Sequence, residues 1–386
     1  APSLPRKASV VLEPAVVAAW RLARQGLEQP ALHSPHDLAE ALTRSGWLAL
    51  GGGVEPYLAL AARFASFARH DLDRCLFQQG TLMEVPGMRG ERLLLPPAEA
   101  WLALQAFRSR VDDLLKDLLS RHRVMTRAGL ANLEDVVRAV LAGQAVRVEN
   151  LRTRVPPRLL RVLGSHGARA GLATSVDLAL WHLLARGEVV SRPVERRLDR
   201  RRREYVLRGD LQGPSLTADI RMRGREEWLA ALAARYLTWA GLARLEDLAW
   251  WADVSAREAA PVLAGLGLAP VGLEGMRGVW FMHGADLESL QSFRPPERPA
   301  VCLLPRQDML AAAWRSYEGL LAPADVVSSL ASSDGEAGGR HFVMVGGSVA
   351  GVWGWKPDGA VRLATLRTLD DDLTAELRRR AAALSE

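Results

Sequence analysis

One pattern, met three times along the chain, constrains the fold more than any other feature: an amphipathic helix stopped by glycine and followed by a β-prone run. It occupies residues 72–85, with Gly80 as the stop, and residues 178–190, with Gly187. A looser copy covers residues 260–271, with Gly265 and Gly267. Glycine just past a helix can take the left-handed conformation that closes it. Each copy runs on into a hairpin-like segment, at residues 85–95, 190–207 and 271–282.

Two further helical patterns precede each copy. In the first they are residues 14–25, with Pro14 suited to a first helical turn, and residues 34–43, where Ser34 can cap the helix and Pro35 begin it. In the second they are residues 132–141 and a stretch at 146–163 broken by Pro156-Pro157, and in the third residues 226–239 and 244–251. Two helices, then a helix leading into a glycine-punctuated hairpin, is the order of a winged helix-turn-helix. The same apolar stripes also suit a plain all-α scaffold, in which they form core and nothing else.

Past Pro295-Pro296-Glu297-Arg298-Pro299, which reads as a linker, the code changes to strands at residues 300–304, 341–355 and 361–366. Gly346-Gly347 between two β-prone runs is a strong hairpin signal, and Lys356-Pro357-Asp358-Gly359 marks another turn. Residues 332–339 read as a loop, and residues 370–384 as a last helix with Asp370-Asp371-Asp372 at its start and Arg378-Arg379-Arg380 near its end, as the helix dipole favours. The expectation is an α+β chain, mostly α, with winged helix-turn-helix units at 10–97, 98–210 and 211–290 and a β-rich domain at 300–386. The length of 386 residues is ample for several packed units.

Charge is unevenly placed. All but three of the 50 Lys and Arg residues are arginine, a bias that suits phosphate recognition and that a GC-rich genome also produces. Residues 192–208 hold eight arginines against three acids, and residues 151–170 hold five with no acid. These stretches carry a charge of +10 in a chain whose total is +6, so the remainder is net acidic. A basic block on an acidic background points at a polyanion. Its candidate contacts are Arg152, Arg154, Arg158, Arg161, Arg192, Arg196, Arg197, Arg200, Arg201, Arg202 and Arg203. Arg89 joins them if Met88-Arg89-Gly90 is a wing touching DNA; otherwise that tripeptide is only a tight hairpin.

Other chemistry is weakly marked. Cys75 and Cys302 are too few for a disulfide framework or a multi-cysteine zinc site, which makes a reducing compartment the default. No apolar run of about 18 residues could span a bilayer, and Ala1-Pro2-Ser3-Leu4-Pro5 lacks the regions of a secretory signal. A cytoplasmic, nucleoid-associated location is therefore expected. His33 and His36 lack a third ligand, Asp370-Asp371-Asp372 suits a helix N-terminus better than a cation, and Gly51-Gly52-Gly53 is not followed by Lys-Ser or Lys-Thr. Neither a metal nor a cofactor is expected.

Four strings resemble one known family. They are Met88-Arg89-Gly90 with Leu93-Leu94-Leu95-Pro96; Arg235-Tyr236-Leu237 with Asp247-Leu248-Ala249-Trp250-Trp251; Leu303-Leu304-Pro305-Arg306-Gln307-Asp308; and residues 345–353. In this order and spacing the chain resembles, from about residue 11 to 366, the AlkZ/YcaQ superfamily of bacterial alkylpurine and crosslink DNA glycosylases. The resemblance implies a C-shaped stack of tandem winged helices closed by a β-rich domain, with double-stranded DNA in the concavity. The chain is expected to act as a monomer. It also implies a Gln-apolar-Gln catalytic motif. Alkylation at purine N7 or N3 makes the base a ready leaving group, so two carboxamides that position water and stabilise sugar charge can suffice.

Here the chain departs from the family. Ser45-Gly46-Trp47-Leu48-Ala49-Leu50 occupies the motif, and Leu48 and Leu50 stand where the glutamines belong. A leucine side chain neither donates nor accepts a hydrogen bond. The family's first-wing Thr and His are replaced by Glu91 and Leu93. The leading expectation is a duplex DNA-binding protein of repair or damage response without excision chemistry. The alternatives are an active glycosylase using Glu91 or Asp37, and a winged-helix transcription regulator or scaffold.

Overall fold

The computed structural model describes residues 4–29, 37–51, 53–200, 202–211, 224–316, 341–356 and 358–384, with only the backbone of Asp37. Ser34, Pro35, His33, His36, Gly52, Arg201, Pro357 and the 332–339 segment lie outside them. The fold is mixed α and β, about half helical, with small sheets of two to four strands. It divides into two compact units. One, the terminal unit, comprises residues 1–49, 55–72 and 229–386; the other, the internal unit, comprises residues 50–54 and 73–228.

In the terminal unit the helix Pro14–Arg24 begins on its proline, as its position invites, and Gly26 follows it at φ +69°. The helix Leu245–Ala252 leads to Ala256–Gly265, whose Ser255 and Glu258 cap each other's backbone N–H groups at 3.3 and 3.0 Å. Gly267, at φ +64°, then turns the chain into a hairpin of Ala269–Leu273 and Trp280–Met282. Val10–Leu12, a strand the sequence reading lacked, joins this hairpin in parallel, Val10 opposite Val271 and Leu12 opposite Leu273.

The C-terminal strands form an antiparallel meander, Val301–Leu304, His341–Val345, Ser348–Trp355 and Val361–Thr365. Gly346 and Gly347 both have positive φ, +59° and +85°, as a two-residue hairpin turn demands. Gly347 has a second reason: a Cβ there would lie 2.1 Å from the Ala18 carbonyl oxygen. The helix Asp371–Ala383, capped by Asp370, covers the sheet through Leu377 and Ala381 against Val301, Leu303, Val343, Val345 and Trp353.

A buried ionic cluster pins the parts of this unit together. Arg63 forms two parallel bonds to Asp308, at 2.6 and 3.1 Å, with both side chains essentially inaccessible. Its remaining donors reach the Gln25 side chain and the carbonyls of Gln25 and Ala59. Arg21 lies 3.7 Å above the Trp314 ring and donates to the carbonyls of Ala240 and Leu310; burial lowers its pKa to about 9.

The internal unit opens with a hairpin, Met83–Pro86 paired to Arg92–Leu95. A helical turn ending at Gly80, φ +66°, precedes it, as the repeat suggests. The 17-residue helix Ala100–Lys116, absent from the sequence reading, follows and buries Leu102, Ala106, Phe107, Val111 and Leu115. Helices Arg127–Leu141, Val148–Arg154, Gly164–Arg169 and Ser175–Ala185 enclose one core, into which Leu133, Val137, Leu141, Leu151, Val176, Ala179 and Leu183 are packed. Gly187 at φ +69° then leads to a second hairpin, Val189–Pro193 paired to Arg203–Leu207.

Candidate nucleic-acid interface

The second hairpin and the segment just before the helix Val148–Arg154 are joined by a two-way backbone bridge. Val146 N–H donates to the Tyr205 carbonyl at 3.0 Å, and Tyr205 N–H to the Val146 carbonyl at 2.8 Å. Both basic stretches read from the sequence thus belong to one unit. Their arginines fall into two populations.

The first population is spoken for by acids. Arg192 binds Glu204 at 2.8 Å across the hairpin, and Arg197 grips both oxygens of Asp199 at 3.1 and 2.7 Å. Arg202 donates from two nitrogens to Glu195, and this bonding holds the Glu195 carboxyl below its usual range. Arg152 binds Asp177 at 2.6 Å, while the other oxygen of Asp177 caps the helix Ser175–Ala185 by accepting from Thr174 N–H at 2.7 Å. Arg203 turns inward, donating to the Ser191 hydroxyl at 2.8 Å, the Ser191 carbonyl at 3.0 Å and Glu84. Arg89, at a left-handed φ of +57° on the first hairpin's tip, pairs with Glu91 at 3.2 Å.

The second population faces solvent. Arg158, Arg161, Arg169, Arg196 and Arg200 are exposed, and among the described residues none has an ion pair or side-chain hydrogen bond. Arg158 sits on the turn Pro157–Leu159, and Arg169 ends a short helix. Arg196 and Arg200 lie between the strands of the second hairpin; partial desolvation and the neighbouring Arg192 lower the pKa of Arg196. Arg154 is intermediate, exposed but 3.3 Å from the Gln144 side-chain oxygen. Arg201 is outside the described residues.

Glu84 was not singled out by the sequence reading, yet it gathers Arg203 and, at 3.3 Å, Arg92. The signal available was a lone acid within the apolar run Leu82-Met83-Glu84-Val85.

Leu48 and Leu50, which the sequence reading set where the family's glutamines belong, are packed. Leu48 is 3% exposed and Leu50 0%. Beside them Trp47 packs against Trp239 at 5.0 Å, and Gly46 at φ +109° leaves no room for a Cβ, which would stand 2.6 Å from Met309. Asp308, in one of the resembling strings, is the buried partner of Arg63 and so has a structural task. Among the described residues no group of three or more His, Cys, Asp or Glu could hold a metal ion, and no helix is long and apolar enough to cross a membrane.

A profile of the family described as "DNA glycosylase AlkZ-like" matches residues 50–386. The chain belongs to the AlkZ-like DNA glycosylase family. Membership implies DNA as the partner. The fold agrees with that of a solved structure, the Streptomyces sahachiroi DNA glycosylase AlkZ, with a TM-score of 0.74, 21% sequence identity and 97% of each chain covered. No curated protein matches the chain by sequence.

Proposed function

We propose that this AlkZ-like chain binds duplex DNA in repair or damage response and has lost its family's base-excision chemistry. In this reading the chain carries three tandem winged helices and a C-terminal β-rich domain, and a monomer in the bacterial cytoplasm holds the nucleoid's DNA. The observation that carries it is the contrast between two sets of positions. Five arginines of the internal unit are exposed and, among the described residues, have no ion pair, whereas Leu48 and Leu50 are buried and their side chains carry no polar atom. Unpaired guanidiniums are ready phosphate ligands, since each contact releases a condensed counterion without first breaking an ion pair. A side chain without hydrogen-bonding capacity cannot position a water.

The paired arginines shape the hairpin rather than reach for phosphate. Arg192, Arg197 and Arg202 fix its strands and turn through local acids, so that Arg196 and Arg200 are presented outward. These contacts would position the duplex and carry no sequence information.

A second reading, excision through another group, draws support from Glu91, whose side chain is 37% exposed on the first hairpin. One experiment separates the readings. The protein is incubated with duplex containing N7-methylguanine, and both binding and abasic product are measured. Binding without product supports the proposal. Product that disappears in Glu91→Gln establishes the second reading, and absence of any binding at low salt removes both. Selection of a defined sequence from random duplex would instead indicate a regulator, because base readout needs hydrogen-bonding side chains in a groove.

A further inference from the structure

A pocket of about 300 Å³ in the internal unit has no part in the phosphate-binding reading. It lies between the first hairpin, the helix Ala100–Lys116, the end of the helix Ser175–Ala185 and the second hairpin. Its walls are mostly apolar, and Phe107, Trp181 and Tyr205 give them aromatic surface. Phe107 and Trp181 pack at 5.3 Å between ring centres, and Gly90 brings the first hairpin against the Trp181 ring, since a Cβ there would come within 3.3 Å of it. The volume stands at the lower end of the ~300–1,000 Å³ typical of small-molecule sites.

The charged residues of the wall are turned on one another. Glu84 Oε1 accepts from Arg203 and, at 3.3 Å, from Arg92, while Glu84 Oε2 and Arg203 Nη1 are closed to solvent, so an occupant of the cavity meets neither. Tyr205 bonds to the Ser191 hydroxyl, and burial raises its pKa, which keeps the phenol neutral. Water fits such a space poorly, because an ordered water needs about two to four polar partners. A charged molecule would give up its hydration against apolar walls, and a nucleobase would leave several donors and acceptors unpaired. What the cavity offers is dispersion contact and the surfaces of three aromatic rings, which a flat apolar molecule can use in full.

We propose that this pocket binds a small-molecule ligand of one chemical class, a neutral, flat aromatic compound of one or two fused rings with few polar atoms. The ring replaces water against Phe107, Trp181 and Tyr205, and its affinity comes from apolar area removed from water. Both hairpins contribute to the wall, Met83 and Val85 from the first and Val189 and Val190 from the second. A bound ring therefore gives the two hairpins a shared packed core and braces the second, between whose strands Arg196 and Arg200 lie. The ligand class rests on the pocket alone, independently of the phosphate contacts.

The test uses the full chain and isothermal calorimetry with three probes: indole, a neutral two-ring molecule; indole-2-carboxylate, the same ring with a charge; and adenosine. Indole is expected to bind at least about tenfold more tightly than either of the others. In the parent protein it should also slow hydrogen exchange of the amides in Val189–Pro193 and Arg203–Leu207, the strands of the second hairpin. Val190→Trp, which fills the pocket from a half-buried wall position, should abolish indole binding, and the smaller filling Val190→Phe should weaken it about tenfold. Thermal melting checks that each variant folds; if Val190→Trp does not, Val190→Phe and the exchange pattern of the parent decide. No indole binding at about 1 mM overturns the proposal. So does equal or tighter binding of the carboxylate or of adenosine, binding unchanged by both Val190 variants, or protection that misses the second hairpin.

Discussion

Raising monovalent salt from 50 to 200 mM is expected to weaken binding to an undamaged duplex by about 500-fold. The figure follows from the five exposed arginines without ion pairs, Arg158, Arg161, Arg169, Arg196 and Arg200. Each phosphate neutralised adds about −0.9 to the log–log slope, giving about −4.5 in total. Replacing Arg158 and Arg161 together by alanine should reduce the slope to about −2.7 and the salt penalty to about 40-fold. Replacing Arg197 and Arg202 should leave the slope near that of the parent, because Asp199 and Glu195 already neutralise them. Fluorescence anisotropy on one labelled duplex at several salt concentrations measures all three slopes. A parental slope shallower than about −2, or a larger change from the Arg197/Arg202 pair than from the Arg158/Arg161 pair, refutes the reasoning. Either would mean that the ion pairs break to make the interface.

The other predictions concern the terminal unit. Asp308→Ala strands the buried Arg63 guanidinium and should cost about 3–5 kcal/mol in urea unfolding; a change below about 1 kcal/mol would show that the cluster relaxes. Burial lowers the pKa of His341 below its usual 6.5, so the unfolded chain binds its proton first as the solution is acidified. The stability that neutral His341 contributes is present above about pH 6.5 and lost as pH falls through its folded value, and His341→Phe should show less loss of melting temperature over that window. Burial pushes the Cys302 thiol up to about 12, so it should resist iodoacetamide at pH 8 until urea unfolds the chain, as read by mass spectrometry. Leu48→Gln/Leu50→Gln should destabilise the protein and yield no excision product, since both amides would enter packed apolar surroundings.

What was legible in the sequence was local. The glycine stops at Gly80, Gly187 and Gly267 end helices where the pattern placed them, because left-handed backbone after a helix is a one-residue requirement. Gly346-Gly347 marks its turn for the same reason. The helix Ala100–Lys116 was also written locally, in the four-residue spacing of Phe107, Val111 and Leu115. Partnership across long separations was not legible. Val10–Leu12 is three residues long and becomes a strand only because Ala269–Leu273 offers it an edge. Net charge identified the basic unit, but local acids decide which arginines remain exposed and unpaired. The pairs Arg197–Asp199 and Arg202–Glu195 are two and seven residues apart, whereas Arg203 is turned inward by Glu84, 119 residues earlier.

The division of the chain also sets an order of events at the ribosome. Nearly all of the internal unit lies between residues 73 and 228 and can emerge and collapse while the last segment of the terminal unit is still unsynthesised. Arg63 must then wait for an aspartate 245 residues downstream, and Arg21 for a carbonyl 289 residues away. Until that carboxylate arrives, the N-terminal helices carry guanidiniums that a dry core would reject, which discourages premature docking among themselves. The terminal unit is thereby made to close last, once its C-terminal strands have been delivered, and nascent chains stalled before Asp308 should expose its unfinished helices to chaperones.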